Sequence, residues 1–403
     1  MIRKQDILDR AAEWNLRPEV VEKDYVLGWL LAALPTVDGA RGWIFKGGTC
    51  IKKCYFETYR FSEDLDFSLL PASNYTPEAI LEALRMIARA ANEMSGIEFS
   101  EALIAVRSRR NKQGQATFEG RVPYSGPLAY PGFPRVRIDI TQHESVIDTV
   151  AERRVFHPYP DELPGAAAIA TYSFDELLAE KTRALYERAR PRDLYDVVYL
   201  FNNRPEPIDL EHVRSLFEKK CHAKELSVPP AQSLIRAIHA DEELRSEWSN
   251  MLAHQLPALP DLDELVRRLP DLLAWIDQPA FVLPETRLES APFSATETPL
   301  ASPGIRFWGG GLSLEAIRFA GANRLLIEFD YDGKPRVAEP YSLRQASTGN
   351  ILLYAWEQAS AQIKAFNVAK IENLRPTPRA YVPRYRVEFA EGTIPATPPA
   401  REQ

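Results

Sequence analysis

The sequence predicts an α+β protein in three parts: a mixed-sheet core, a helical half, and a small β-rich domain at the C-terminus. Three observations predict it. Trp43-Ile44-Phe45 and the run from Asp64 to Leu70 read as short strands on either side of Gly47-Gly48. Val136-Arg137-Ile138-Asp139-Ile140-Thr141 alternates cleanly, with apolar residues on one face and polar residues on the other. After Gln278 the helical pattern gives way to a stretch rich in Pro, Ser, Thr and Glu, and short strands follow it.

Each element has a local cause. Ile7, Leu8, Ala11, Ala12 and Trp14 recur at helical spacing, and a second helix opens at Pro18 and runs toward Leu34. Thr49, just past the diglycine, is placed to cap a helix through Ile51 and Tyr55. Thr76-Pro77 opens an amphipathic helix over 78–94. Ala116 to Glu119 reads as a strand ahead of turns at 123–134. The stretch 173–201 is helical with a break at Pro191, and helices continue to about Ile276. Later come a short helix over 312–319 and strands at 325–331, 341–343, 351–354 and 363–368, with a proline-rich tail from Arg375 expected to fray. The expected domains are a core over 1–170, a helical domain over 171–277 that completes the active site, a linker over 278–304 and a β domain over 305–395.

Bulk composition narrows the class. The 403 residues exceed one average domain, and 45% hydrophobic with 26% charged is ordinary for a globular protein. No apolar run approaches the roughly 20 residues of a membrane span, and the polar N-terminus lacks a signal core, so a cytoplasmic location without membrane contact is expected. Cys50, Cys54 and Cys221 suggest no disulfide framework, and the first two read as buried thiols on a helix. With a net charge of −7, nucleic-acid contact needs local basic patches, such as Arg107, Arg109, Arg110 and Lys112, or Arg183, Arg188, Arg190 and Arg192.

The chemistry concentrates between Phe45 and Phe67. Asp64 and Asp66 point the same way on a strand, and Asp139 on a later strand supplies a third carboxylate. Such oxygen-rich sets suit Mg²⁺ or Mn²⁺, and paired ions clamp the attacking and leaving oxygens of a phosphoryl displacement. Lys46, Gly47, Gly48 and Thr49 admit a phosphate chain to the backbone, with Ser62 as a further phosphate contact. Lys181 offers a point charge to a triphosphate, and Asp196 is placed to orient Lys181 or Arg183 through a salt bridge. Asp193 stands at a helix start, where a cap and a substrate contact are both open readings. Together these residues point to nucleotidyl transfer from a nucleoside triphosphate.

The same motifs resemble the AbiEii/AbiGii toxin-type nucleotidyltransferases, a branch of the polymerase-β-like superfamily. The resemblance rests on Lys46-Gly47-Gly48-Thr49 with Arg60 to Phe67, on Arg137 to Ile140, on Glu180 to Ala184 and Arg192 to Asp196, and on Glu22-Lys23-Asp24-Tyr25. It implies a toxin of a toxin–antitoxin or phage-defence pair, magnesium, a triphosphate substrate, a cognate antitoxin and, in some members, tRNA 3′ ends as acceptors. A non-catalytic nucleotide-responsive regulator is the alternative. The C-terminal region resembles the WYL domain, a small Sm-like β-barrel, through Leu314 to Ile317, Ile327 to Tyr331, Arg336 to Leu343 and Lys364 to Ile371. It departs from that pattern at Asn350 to Tyr354, where the name-giving triplet is absent, and at Lys370, where arginine is usual. The resemblance implies a groove for a nucleotide or nucleic acid lined by Arg336, Tyr341, Lys364 and Lys370.

Overall fold

A computed structural model describes residues 1–70, 75–110, 116–132, 134–142, 144–165, 167–205, 207–278, 292, 297–299 and 314–389. Most of the expected linker, the first residues of the expected C-terminal domain, Lys112 and the end of the tail lie outside the described residues. The chain divides into two compact units, Met1–Leu177 and Leu178–Thr393.

The first unit is built on one mixed sheet. Its strands are β1 (Trp43–Lys46), β2 (Asp64–Leu69), β3 (Glu98–Phe99), β4 (Ala105–Arg110), β5 (Ala116–Ser125), β6 (Arg135–Thr141), β7 (Ala151–Arg154) and β8 (Ala168–Thr171), in the order β3-β5-β6-β2-β1-β8-β7 with β4 also on β5. β1 and β2 are antiparallel, whereas β2 runs parallel to β6. The helices are α1 (Lys4–Trp14), α2 (Pro18–Ala33), α3 (Gly47–Cys50) and α4 (Pro77–Ser95). α4 has the opening its sequence predicts: Thr76 Oγ1 accepts from Ala79 N at 3.2 Å, Pro77 takes the first turn, and Gly96 closes the helix at φ 72°. Its Ile80, Leu84 and Ile87 are buried, as are Phe67, Val122 and Ile138 on the apolar face of the sheet. Each such side chain withdrawn from water contributes about 1.5–3 kcal/mol. The opposite sheet face is left for polar chemistry.

β5 extends six residues beyond the expected strand, through Pro123, which pairs with Arg135. On the other edge of β5, the pairing with β4 ends at Arg121 and that with β3 begins at Tyr124, so the missing proline N–H falls in a gap between two ladders.

The helix α5 (Phe174–Arg188) leads into the second unit, followed by α6 (Pro191–Asn202), α7 (Leu210–Ala223), α8 (Ala231–Ala240), α9 (Glu242–Leu252) and α10 (Leu262–Leu273). α11 (Leu314–Ala322) then precedes β10 (Leu325–Tyr331), β11 (Lys334–Gln345), β12 (Ile351–Glu357), β13 (Gln362–Asn367) and β14 (Ile371–Ala380), with the short β9 (Thr298–Pro299) on β11. This second sheet is antiparallel in the order β13-β12-β11-β10-β14, and among the described residues no pairing joins β13 to β14 to close a barrel. The tail expected to fray from Arg375 is instead β14 as far as Ala380, paired with β10. Pro376 and Pro378 are tolerated there because β14 is an edge strand. Within this unit the helices and the sheet are tied together: Arg324 donates to Asn202 O at 2.6 Å, Tyr195 to Asn323 at 2.7 Å, and Asp261 N to Pro378 O at 3.0 Å.

Candidate active site

Strand register assembles the acidic face. β2 sets Asp64 beside Arg137 and Asp66 beside Asp139 on β6. β1 sets Lys46 beside Asp66, and β5 sets Glu119 beside Asp139. Partners in register share a face, so Lys46, Asp66, Asp139 and Glu119 form one row across four strands, and Asp64 and Arg137 form the next. The alternation in Val136 to Thr141 predicts this face for Asp139, with Ile138 and Ile140 buried behind it.

The diglycine is cut to fit this row. Gly47 has φ +81°, and a Cβ there would overlap the Asp66 carboxylate. A Cβ on Gly48 would stand 2.8 Å from Arg60 Nη2 and 3.1 Å from Ser62 Oγ. Ser62 therefore abuts the diglycine, although it lies before β2 begins and is not on that strand. Thr49 does not cap a helix. α3 already starts at Gly47 with Lys46 before it, and the buried Thr49 hydroxyl instead donates to Asp64 O, pinning the helix to the first acidic residue. Helical winding continues as a π turn over Ile51–Tyr55, with Cys50 and Cys54 buried as free thiols. Lys46 pairs with Glu144, to which Ser68 also donates at 3.3 Å.

Burial pushes the carboxyls of both Asp64 and Asp139 above the usual range. For Asp64, nearby Lys23 and Arg137 offset this only in part. Asp139 is drawn to Arg137 at 2.8 Å. Asp64, Asp66 and Asp139 do not offer oxygens that all lie within 4.8 Å of one another, so they stand as neighbouring acids on one face rather than as a closed three-ligand cage. Their chemistry still fits a hard divalent cation: three carboxylates from adjoining strands, two of them burdened by desolvation that a cation would relieve.

Glu22-Lys23-Asp24-Tyr25 on α2 is the frame beneath this face, a role its sequence alone does not reveal. Glu22 accepts from Leu128 N at 2.6 Å, Lys23 pairs with Glu63 at 3.0 Å, Asp24 pairs with Lys53 at 2.5 Å in a fully buried bridge, and Tyr25 donates to Asp161 at 2.7 Å. Tyr159 adds a 2.9 Å bond to Asp24. Four consecutive side chains thus bind four different segments, one of them immediately before Asp64.

The second unit carries the later motifs. Lys181 pairs with the fully buried Asp196 at 2.7 Å, so Asp196 orients Lys181 and not Arg183. Arg183 is held by Glu180 at 2.7 Å and by Glu187. Asp193 is not the cap of α6, which Arg190 precedes; it lies in the first turn and grips Arg188 through bonds of 2.7 and 2.8 Å. In the C-terminal sheet, Arg336 and Lys364 both close on the buried Glu357. Tyr341 is fully buried against Glu339, and Lys370 is exposed beside Asp332 at 3.7 Å. The four residues expected to line one groove are therefore divided among three settings.

The mixed sheet thus presents strand carboxylates beside a diglycine. The family model described as nucleotidyl transferase AbiEii toxin, type IV TA system, matches residues 29–276. This covers more than half of the chain, and the chain belongs to that family of toxin–antitoxin nucleotidyltransferases. The match ends before the C-terminal sheet. No curated protein matches the chain. No helix among the described residues is long and apolar enough to cross a membrane.

Proposed function

We propose that this protein is a metal-dependent toxin that transfers a nucleoside monophosphate from a nucleoside triphosphate to an RNA acceptor, with tRNA as the first candidate, and that a cognate antitoxin restrains it in a toxin–antitoxin or phage-defence setting. The observation that carries this reading is the register that sets Asp66 beside Asp139, two residues from Asp64, at the mouth of Gly47-Gly48.

Asp64, Asp66 and Asp139 would hold Mg²⁺ or Mn²⁺, which supplies charge neutralisation on the triphosphate and Lewis-acid polarisation of the transferred phosphoryl group. The chain's own residues do the rest. Gly47 and Gly48 bring the backbone close against Asp66, Arg60 and Ser62, and the triphosphate is assigned to this edge of the acidic row, with Ser62 and Lys46 as its side-chain contacts. Within the second unit, Lys181, oriented by Asp196, is proposed as a phosphate-binding group, with Arg183 and Asp193 as further substrate contacts. The acceptor hydroxyl oxygen forms a bond to the α-phosphorus as the bond to the β-phosphate oxygen breaks and pyrophosphate leaves. Asp139 is assigned as the base that takes the hydroxyl proton. The region beyond residue 305 is proposed as a WYL-like module, with Arg336 and Lys364, which share Glu357, as the ligand contacts. A cytoplasmic site of action follows from the proposed substrates.

The test is incubation of the full chain with each α-labelled triphosphate, magnesium and total RNA. Covalent label on RNA, abolished by Asp64→Ala, is the expected result. Reversible nucleotide binding without transfer would favour the non-catalytic regulator, and an Asp64→Ala variant with full transfer would overturn the site.

A further inference from the structure

The polar face of the first sheet does not end at Asp139. By register, Glu119 on β5 lies beside Asp139, Arg121 lies beside Arg137, and Arg107 on β4 lies beside Glu119. Alternation adds Arg109 and Arg135 to the same face. On β4, β5 and β6 this face thus carries five arginines, while its acids among the described residues are Glu119 and Asp139. Glu119 is 5% exposed and serves as a hub: Arg109 reaches it at 2.9 Å, Arg121 at 2.8 Å and Arg137 at 4.0 Å. Its arginine partners remain 40–59% exposed. One buried carboxylate therefore restrains three guanidinium groups against mutual repulsion and leaves donors of each facing solvent. That is an arrangement suited to phosphates, which arginine grips in fixed bidentate geometry.

Position decides which phosphates. In the order β4-β5-β6-β2-β1, the arginines occupy β4 to β6, and the diglycine follows β1 at the far side of Asp64, Asp66 and Asp139. A triphosphate seated at the diglycine has its charge on one flank of the carboxylates. An in-line displacement requires the attacking group to come from the flank opposite the leaving group. We infer that the face built from Arg107, Arg109, Arg121, Arg135 and Arg137, three of them held by Glu119, is the docking surface for the phosphodiester backbone of a nucleic-acid acceptor. This rests on the nucleotidyltransferase reading above and adds the residues that receive the acceptor. Glu119 is a positioning residue, since it acts through the arginines.

The experiment measures binding of fluorescent bulk tRNA to the full chain, without nucleotide, over a range of KCl concentrations. Binding of labelled ATP is measured in parallel. The double variant Arg109→Ala/Arg121→Ala is expected to weaken tRNA binding at least about 10-fold and to flatten the salt slope by roughly 1.4, about 0.7 for each single-strand phosphate that the variant leaves unneutralised. ATP binding should not change. Arg109→Lys/Arg121→Lys, which keeps the charge and controls for folding, should recover most of the affinity. Glu119→Gln should still bind tRNA but transfer more slowly at saturating tRNA, a loss in kcat rather than in KM. An unchanged salt slope in the alanine variant, or a loss of ATP binding in place of tRNA binding, would overturn the inference. So would a wild-type kcat in Glu119→Gln, for the role of that residue. Failure of the wild-type chain to bind tRNA at all would instead overturn the RNA acceptor of the proposed function. Asp64→Ala separates the two, because it should lose transfer and keep tRNA binding.

Discussion

Gly47→Ala is the sharpest single perturbation of the proposed site. Gly47 sits at φ +81°, in the left-handed region, which costs a residue with a Cβ about 1–2 kcal/mol. For a unit of this size that strain should lower Tm by roughly 2–8 °C. The larger effect is local. The new methyl group would occupy the place of the Asp66 carboxylate and force it aside. A displacement of about 1 Å in a reacting constellation costs about 10²-fold in rate. Gly48→Ala is the comparison, because the nearest atoms to its Cβ would be the side-chain ends of Arg60 and Ser62 rather than an acidic residue of the row. Transfer from an α-labelled triphosphate, measured beside a thermal melt, separates strain from chemistry. Gly47→Ala should melt slightly earlier and be nearly inactive, Gly48→Ala should be affected less, and Gly47→Ala added to Asp66→Ala should cost little further activity. A wild-type rate in Gly47→Ala would refute the link between the diglycine and Asp66.

Three further outcomes follow from the geometry. Burial raises the Asp64 carboxyl, so its ionised form opposes folding, and this penalty grows as pH rises through its folded value; Asp64→Asn should therefore raise Tm at pH 7 in metal-free buffer while abolishing transfer. Glu357 is held down to about 2 by Lys364, Ser360 and Arg336 despite its burial, so its contribution is complete above the ordinary carboxylate range and lost as pH falls toward about 2; Glu357→Gln should flatten the acid limb of unfolding in that window, as followed by circular dichroism. Arg324→Ala removes a buried guanidinium that donates to Asn202 O and Gly321 O, and should cost about 1.5–3 kcal/mol in denaturant unfolding.

What the sequence discloses is what short range determines. Asp64, Asp66 and Asp139 can be placed on their strands because alternation over six residues sorts the faces, and α4 because Thr76, Pro77 and Gly96 mark its ends. The family match bears out the nucleotidyltransferase toxin family that the motifs between Lys46 and Asp196 resemble. Glu119 escapes such reading. Ala116 to Glu119 announces a strand, but the alignment of Glu119 with Asp139 and with three arginines exists only once β4, β5 and β6 pair. Thr49 misleads because Thr before a helical run suggests a cap, while the diglycine has already begun the helix and turned Thr49 inward. Pro376 and Pro378 suggest a loose tail because composition cannot tell an edge strand from a coil. Arg336 and Lys364 suggest an open groove because nothing local announces that Glu357 will claim both.

The four links made by Glu22 to Tyr25 also bear on synthesis. Tyr25 leaves the ribosome early, yet the Asp161 it bonds to lies 136 residues further on. At about 5–20 residues per second, that interval is roughly 7–27 s. Glu22, Lys23 and Asp24 find Leu128, Glu63 and Lys53 earlier, but Tyr25 waits for Asp161, the last of the four links to be made. A nascent fragment that stops short of Asp161 lacks the acceptor for Tyr25, so the framework of the first unit is completed only once that residue has been made.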